Sequence, residues 1–68
     1  MFTMKRVEEW GAVFDSEDKS KAIRVEAWLI ERGIPAWVRQ VGLSPAVWEV
    51  QVPQSAVSES KREVDKYF

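Results

Sequence analysis

Residues 27–40 read AWLIERGIPAWVRQ, and within them the spacing of apolar side chains changes from helical to alternating. Trp28, Leu29 and Ile30 close a helical pattern, Gly33 follows Arg32, and Ile34 and Pro35 lead into Ala36, Trp37, Val38 and Arg39. Gly33 suits the position just past a helix end, where the backbone needs positive φ and a Cβ would be penalised; Ile34 can then fold back on Leu29 or Trp28, as in a Schellman motif. Pro35 cannot extend a helix and biases Ile34 toward extended geometry. A helix stops here and a strand starts.

Upstream, the pattern predicts a helix over residues 16–32, with Asp15 or Ser16 as its N-cap. Glu17 and Asp18 would then lie in the first turn, where the helix dipole favours negative charge, and Glu17 could pair with Lys21 at i,i+4. The core stripe falls on Ala22, Val25, Leu29 and Trp28 or Arg32. Ile23, Ala27 and Ile30 make a second apolar line, which we expect the last helix to cover, since Tyr67 and Phe68 need a packing surface; the alternative is a partner surface. Before this helix, residues 7–14 (VEEWGAVF) alternate as a half-buried strand, with Trp10, Ala12 and Phe14 placed inward and Glu9, Gly11 and Val13 outward. Gly11 reads as a tolerated small residue beside a tryptophan, with a bulge or a close backbone approach as the alternative. Residues 1–6 carry little pattern and read as a disordered, frayed start or an extension of that strand.

Downstream, residues 35–41 and 46–52 form two strands joined by a short turn through Gly42, Leu43, Ser44 and Pro45, a β-hairpin. Trp37, Arg39 and Val41 share one face of the first strand, and Val47, Glu49 and Gln51 share one face of the second. The register that fits the turn sets Trp37 opposite Gln51, Val38 opposite Val50 and Arg39 opposite Glu49. Pro53 ends the hairpin, and Ser55 can cap a last helix over residues 56–67 with Val57, Val64 and Tyr67 or Phe68 on its apolar side.

The order βαββα implies an α+β fold in one small domain, a truncated ferredoxin-like unit one strand short of the split βαβ pattern. A right-handed crossover makes the first two strands parallel, and the third inserts between them, antiparallel to both, in sheet order 1-3-2 with two helices on one face. The outer edge of the first strand is then unpaired and open to another chain unless Glu8, Glu9 or a bulge blunts it. Ala22, Leu29, Gly33, Ile34, Pro35, Ala36 and Val38, followed by Val52 and Pro53 before a closing helix, resemble a small bacterial domain family labelled prokaryotic signal transducing protein. The resemblance runs from Glu9 to Phe68. It implies structural roles for Gly33, Ile34, Pro35 and Ala36, no catalytic residue, and a regulatory function at most. Ile23 and Ile30, where polar residues are usual, and the short Gly42 to Pro45 turn depart from that pattern.

Composition narrows the function classes. With 68 residues the chain buries only about 60% of its unfolded surface, leaving little room for an enclosed site. It contains no cysteine and no histidine, so thiolate and imidazole metal ligands and the usual general base are missing, and its three glycines stand too far apart for a phosphate loop. We expect no enzyme, no cofactor and no metal. Ten basic against 11 acidic residues give a net charge of -1, which argues against nucleic acid unless a local patch exists. No apolar run approaches the ~20 residues of a membrane span and the N-terminus lacks a secretory pattern, so the chain is read as cytoplasmic. What remains is an interaction surface. If helices cover one sheet face, Trp37, Arg39, Val41, Val47, Glu49 and Gln51 lie on the other, and Trp and Arg are the types enriched at binding hot spots. The leading expectation is a protein-interaction or regulatory module, homodimeric or with another protein, through that face or the first strand's edge. Single-stranded nucleic-acid binding on the face and small-ligand sensing between protomers are the alternatives.

Overall fold

The computed structural model describes residues 9–68. The expectations for residues 1–6, and for Val7 and Glu8, lie outside the described residues. The elements are β1 (Trp10–Ser16), α1 (Lys19–Glu31), β2 (Trp37–Leu43), β3 (Ala46–Pro53), a 3-10 turn (Gln54–Ala56) and α2 (Val57–Tyr67). The sheet order is β1-β3-β2, with both ladders antiparallel, so the chain has the α+β, βαββα architecture with β3 central.

The stop after α1 forms as the residues dictate. Gly33 has φ +85°, its N–H donates to the Ile30 carbonyl at 2.9 Å, and the Ile34 N–H donates to the Leu29 carbonyl at 3.0 Å, the two bonds of a Schellman motif. Ile34 is thereby brought beside Leu29 in one buried cluster with Ala22, Val25, Val50, Val52 and Val64. That cluster lies between the sheet and both helices.

The start of α1 differs from expectation. β1 continues through Ser16, and Asp18, not Asp15 or Ser16, caps the helix: its carboxylate accepts from the Ser20 and Lys21 N–H groups at 3.0 and 3.3 Å. Ser16 instead uses its Oγ to accept the Asp18 N–H at 2.9 Å, which steers the chain into the cap. Glu17 consequently precedes the helix rather than sitting on its first turn. The Ser20 hydroxyl, donating to Asp18 Oδ1 at 2.8 Å, together with the Lys21 N–H, holds the Asp18 carboxyl below its ordinary value of 3.8. A depressed carboxyl contributes stability above 3.8 and loses it as pH falls through the lower folded-state value. Asp18→Asn keeps the acceptor but cannot titrate. In parallel acid titrations followed by circular dichroism, the native chain's advantage over Asp18→Asn should shrink in that acid window; an advantage constant with pH would refute the assignment.

β1 also corrects the sequence reading. Its pairing with β3 runs Ala12 with Gln51 and then Phe14 with Val50, leaving Val13 as the extra residue of a β-bulge. Val13 and Phe14 both pack against the core, while Trp10 and Ala12 face away, so of the three residues expected inward only Phe14 is. Gly11 takes the inward place opposite Val52, and an added Cβ there would lie 2.8 Å from Val57 Cγ2 and 3.1 Å from Gln54 Oε1. The close-approach reading holds at Gly11: a missing side chain lets the start of α2 settle on β1.

The hairpin register is the expected one, with Trp37 opposite Gln51, Val38 opposite Val50 and Arg39 opposite Glu49. Val41 is the extra residue of a second bulge, between Gln40 and Gly42, and the turn is Ser44 and Pro45 joined by a cis peptide. The 3-10 turn places Ser55 before the cap position of α2, which Ala56 occupies, so Ser55 is not the helix cap. α2 lies on the Trp28 side of α1. Trp28 stacks against Tyr67 and Phe68, with ring centroids 4.8 and 5.7 Å apart, and Arg32 covers the indole at 3.8 Å while its Nε reaches Glu63 Oε1 at 3.4 Å. Ile23, Ala27 and Ile30 point about a third of a turn or more away from that contact and remain exposed. Their expected cover by the last helix does not occur, because Trp28 offers Tyr67 and Phe68 the larger apolar surface.

Candidate interaction surface

Val50 and Val52 are fully buried beneath the helices, so Glu49 and Gln51 point from the opposite side of β3. Residues opposite one another in a ladder share a face, which places Trp37, Arg39, Ala12 and Asp15 beside them. The open face is therefore laid out in rows across the strands. One row reads Ala12, Gln51, Trp37; the next reads Asp15, Glu49, Arg39; Trp10 stands beside Pro53 at one end, and Val47 lies opposite Gly42 at the other.

All six residues expected on this surface are present in those rows or next to them. Trp37 and Arg39 are exposed, Val41 is exposed at its bulge, and Val47, Glu49 and Gln51 are partly covered by their neighbours. The Glu49 carboxylate accepts from Gln51 Nε2 at 2.6 Å rather than from Arg39, and Arg39 has no ion pair among the described residues. A cation beside a tryptophan is thus left available.

The tryptophan that alternation misses is Trp10. Its indole meets Trp37 edge to face across the central strand, with centroids 6.3 Å apart and planes at 79°. Relative exposures of 38% and 45% show that the pair buries part of each ring yet leaves a broad aromatic surface in water. Only the bulge at Val13 puts Trp10 on this face together with Asp15, five positions later. Strict period-two spacing cannot do that.

Among the described residues no pocket is formed and no group of three or more His, Cys, Asp or Glu side chains could hold a metal. No helix there is long and apolar enough to cross a membrane. What the arrangement offers is surface chemistry: two edge-to-face indoles, an available guanidinium and two carboxylates on one face of the sheet. Compared with known proteins, the chain matches no family model, no curated protein and no solved structure.

Proposed function

We propose that this chain is a small non-catalytic protein-interaction module, regulatory in kind, that engages its partner through the open sheet face. The exposed Trp10–Trp37 pair beside Arg39 carries the reading. Large aromatic groups in water are usually covered in a functional complex, and Trp and Arg dominate interface energetics where they are present. The face is favoured over the free edge of β1 because the Val13 bulge interrupts the regular row of donors and acceptors that an added strand would need. Nucleic acid fits the face less well: among the described residues it presents Arg39 against two carboxylates, Asp15 and Glu49, leaving no net positive field for a phosphate backbone.

The test is photo-crosslinking in the cells that make the protein, with a benzophenone side chain at Val41 on this face or, as a control, at Arg24 on the exposed side of α1. A covalent protein adduct from position 41, absent from position 24 and lost when Trp37→Ala is added, is the expected result. Equal adducts from both positions, or none from position 41, would exclude the face as the interaction site.

A further inference from the structure

We infer that the occupant of the open face is a second copy of this chain, packed sheet against sheet about a two-fold axis that runs along β3. This inference rests on the reading of that face as an interaction surface, and it follows from the order of residues in the rows. A two-fold rotation about an axis parallel to the central strand carries β1 of one copy over β2 of the other while keeping each row in place. In the first row Trp37, the largest side chain of that row, then comes over Ala12, the smallest, and the symmetric contact repeats it. In the second row Arg39 comes over Asp15, again twice. Large meets small and cation meets anion at the same setting, with no shift along the strands. Facing sheets sit ~10 Å apart, a gap that an arginine and an aspartate span from opposite sides.

The alternative in-plane axis, perpendicular to the strands, lays β2 on its own copy. If it passes through the charged row it opposes Arg39 to Arg39 and Asp15 to Asp15. Charge therefore disfavours that setting, whereas the axis along β3 brings each Arg39 over an Asp15. Of the charged residues in these rows, Glu49 alone is left facing its own copy near the axis, and Gln51 Nε2, at 2.6 Å, is the donor that tempers that pair. Three strands spaced ~4.8 Å apart and seven residues long give a projected footprint on the order of 300 Å². That is well below the ~800 Å² per partner of a stable complex. The dimer is a reversible one, populated at high concentration.

Sedimentation velocity over a wide concentration series tests the inference by charge exchange. The native chain should pass reversibly from monomer to dimer, and Trp37→Ala should weaken association at least about tenfold. Arg39→Asp and Asp15→Arg should each be monomeric, because each places like charges opposite one another in both symmetric contacts. An equimolar mixture of the two should dimerise, since positions 15 and 39 of the mixed species again face each other with opposite sign. That recovery also shows that both variants fold. Glu49→Gln should tighten the native dimer by removing the like pair at the axis.

A native chain that stays monomeric throughout, single charge variants that dimerise like the native chain, or a mixture that stays monomeric would each overturn the second-copy assignment. Failure here is separable from failure of the interaction reading. A monomeric native chain that still yields a Val41-dependent adduct with a different protein leaves the face an interaction site and removes only the homodimer.

Discussion

Leu29→Ala should lose about 2–5 kcal/mol of folding stability, the range for truncating a fully buried leucine in a core that relaxes only in part. Leu29 is the largest of the fully buried side chains and packs at the centre of a cluster drawn from α1, α2, β3 and the Ile34 turn. Its backbone is committed as well, because its carbonyl accepts from both Arg32 and Ile34 at 3.0 Å. A chain of 68 residues has roughly 3–10 kcal/mol in total, so this one truncation consumes much of the margin and leaves a substantial unfolded population at ordinary temperature. Urea unfolding followed by tryptophan fluorescence would show the midpoint moved sharply down with the slope retained. Leu29→Met, which conserves volume, should cost less than about 1.5 kcal/mol. Equal losses in the two variants would mean that packing at this site is not what holds α1 to the sheet.

Gly42→Ala should cost about 1–3 kcal/mol, the usual penalty for forcing a group into filled space. An added Cβ would lie 2.9 Å from the Pro45 carbonyl oxygen and 3.5 Å from the Val47 nitrogen, both backbone atoms of the hairpin, which no rotamer change can move aside. At Gly11 the nearest atoms are side-chain ends, Val57 Cγ2 and Gln54 Oε1, so a methyl there can be met by adjustment of Gln54 and a small shift of α2. Thermal melts should consequently rank Gly42→Ala below Gly11→Ala, with the former lowered by several degrees at least. The reverse order would indicate that the docking of α2 on β1 is stiffer than the hairpin turn.

The Leu29 expectation depends on neighbours distant in sequence, Val50, Val52 and Val64, and that is where the residues alone became hard to read. Gly33, Ile34 and Pro35 declare a helix stop because the bonds that make it join residues no more than five apart. The hairpin register was legible for the same reason: a short turn and one opposite-charge pair, Arg39 with Glu49, leave few settings. The bulges were not legible. Whether Val13 is paired or extra depends on β3, nearly forty residues later, and the answer reverses the inward or outward sense of Trp10 and Ala12. Asp15, Ser16 and Asp18 are all competent caps, and the choice fell to Asp18 once pairing with Glu49 and Trp48 held Asp15 and Ser16 in the strand. Of the face itself, the β2 and β3 members could be named from alternation, whereas the contribution of β1 required the bulge.

The extra residue at Val13 has a consequence for chain length. Elsewhere in a strand, inserting or deleting one residue turns every side chain beyond it to the other side of the sheet. At Val13 the pairs on either side, Ala12 with Gln51 and Phe14 with Val50, already stand in the relation of a regular ladder, and the same is true around Val41, where Gln40 pairs with Trp48 and Gly42 with Val47. A chain lacking either residue would keep Trp10, Ala12, Trp37 and Arg39 facing the same way. These two positions are places where sequences of this fold can differ in length by one without changing the surface they present, and an alignment that keeps strict alternation across them would pair inward residues with outward ones.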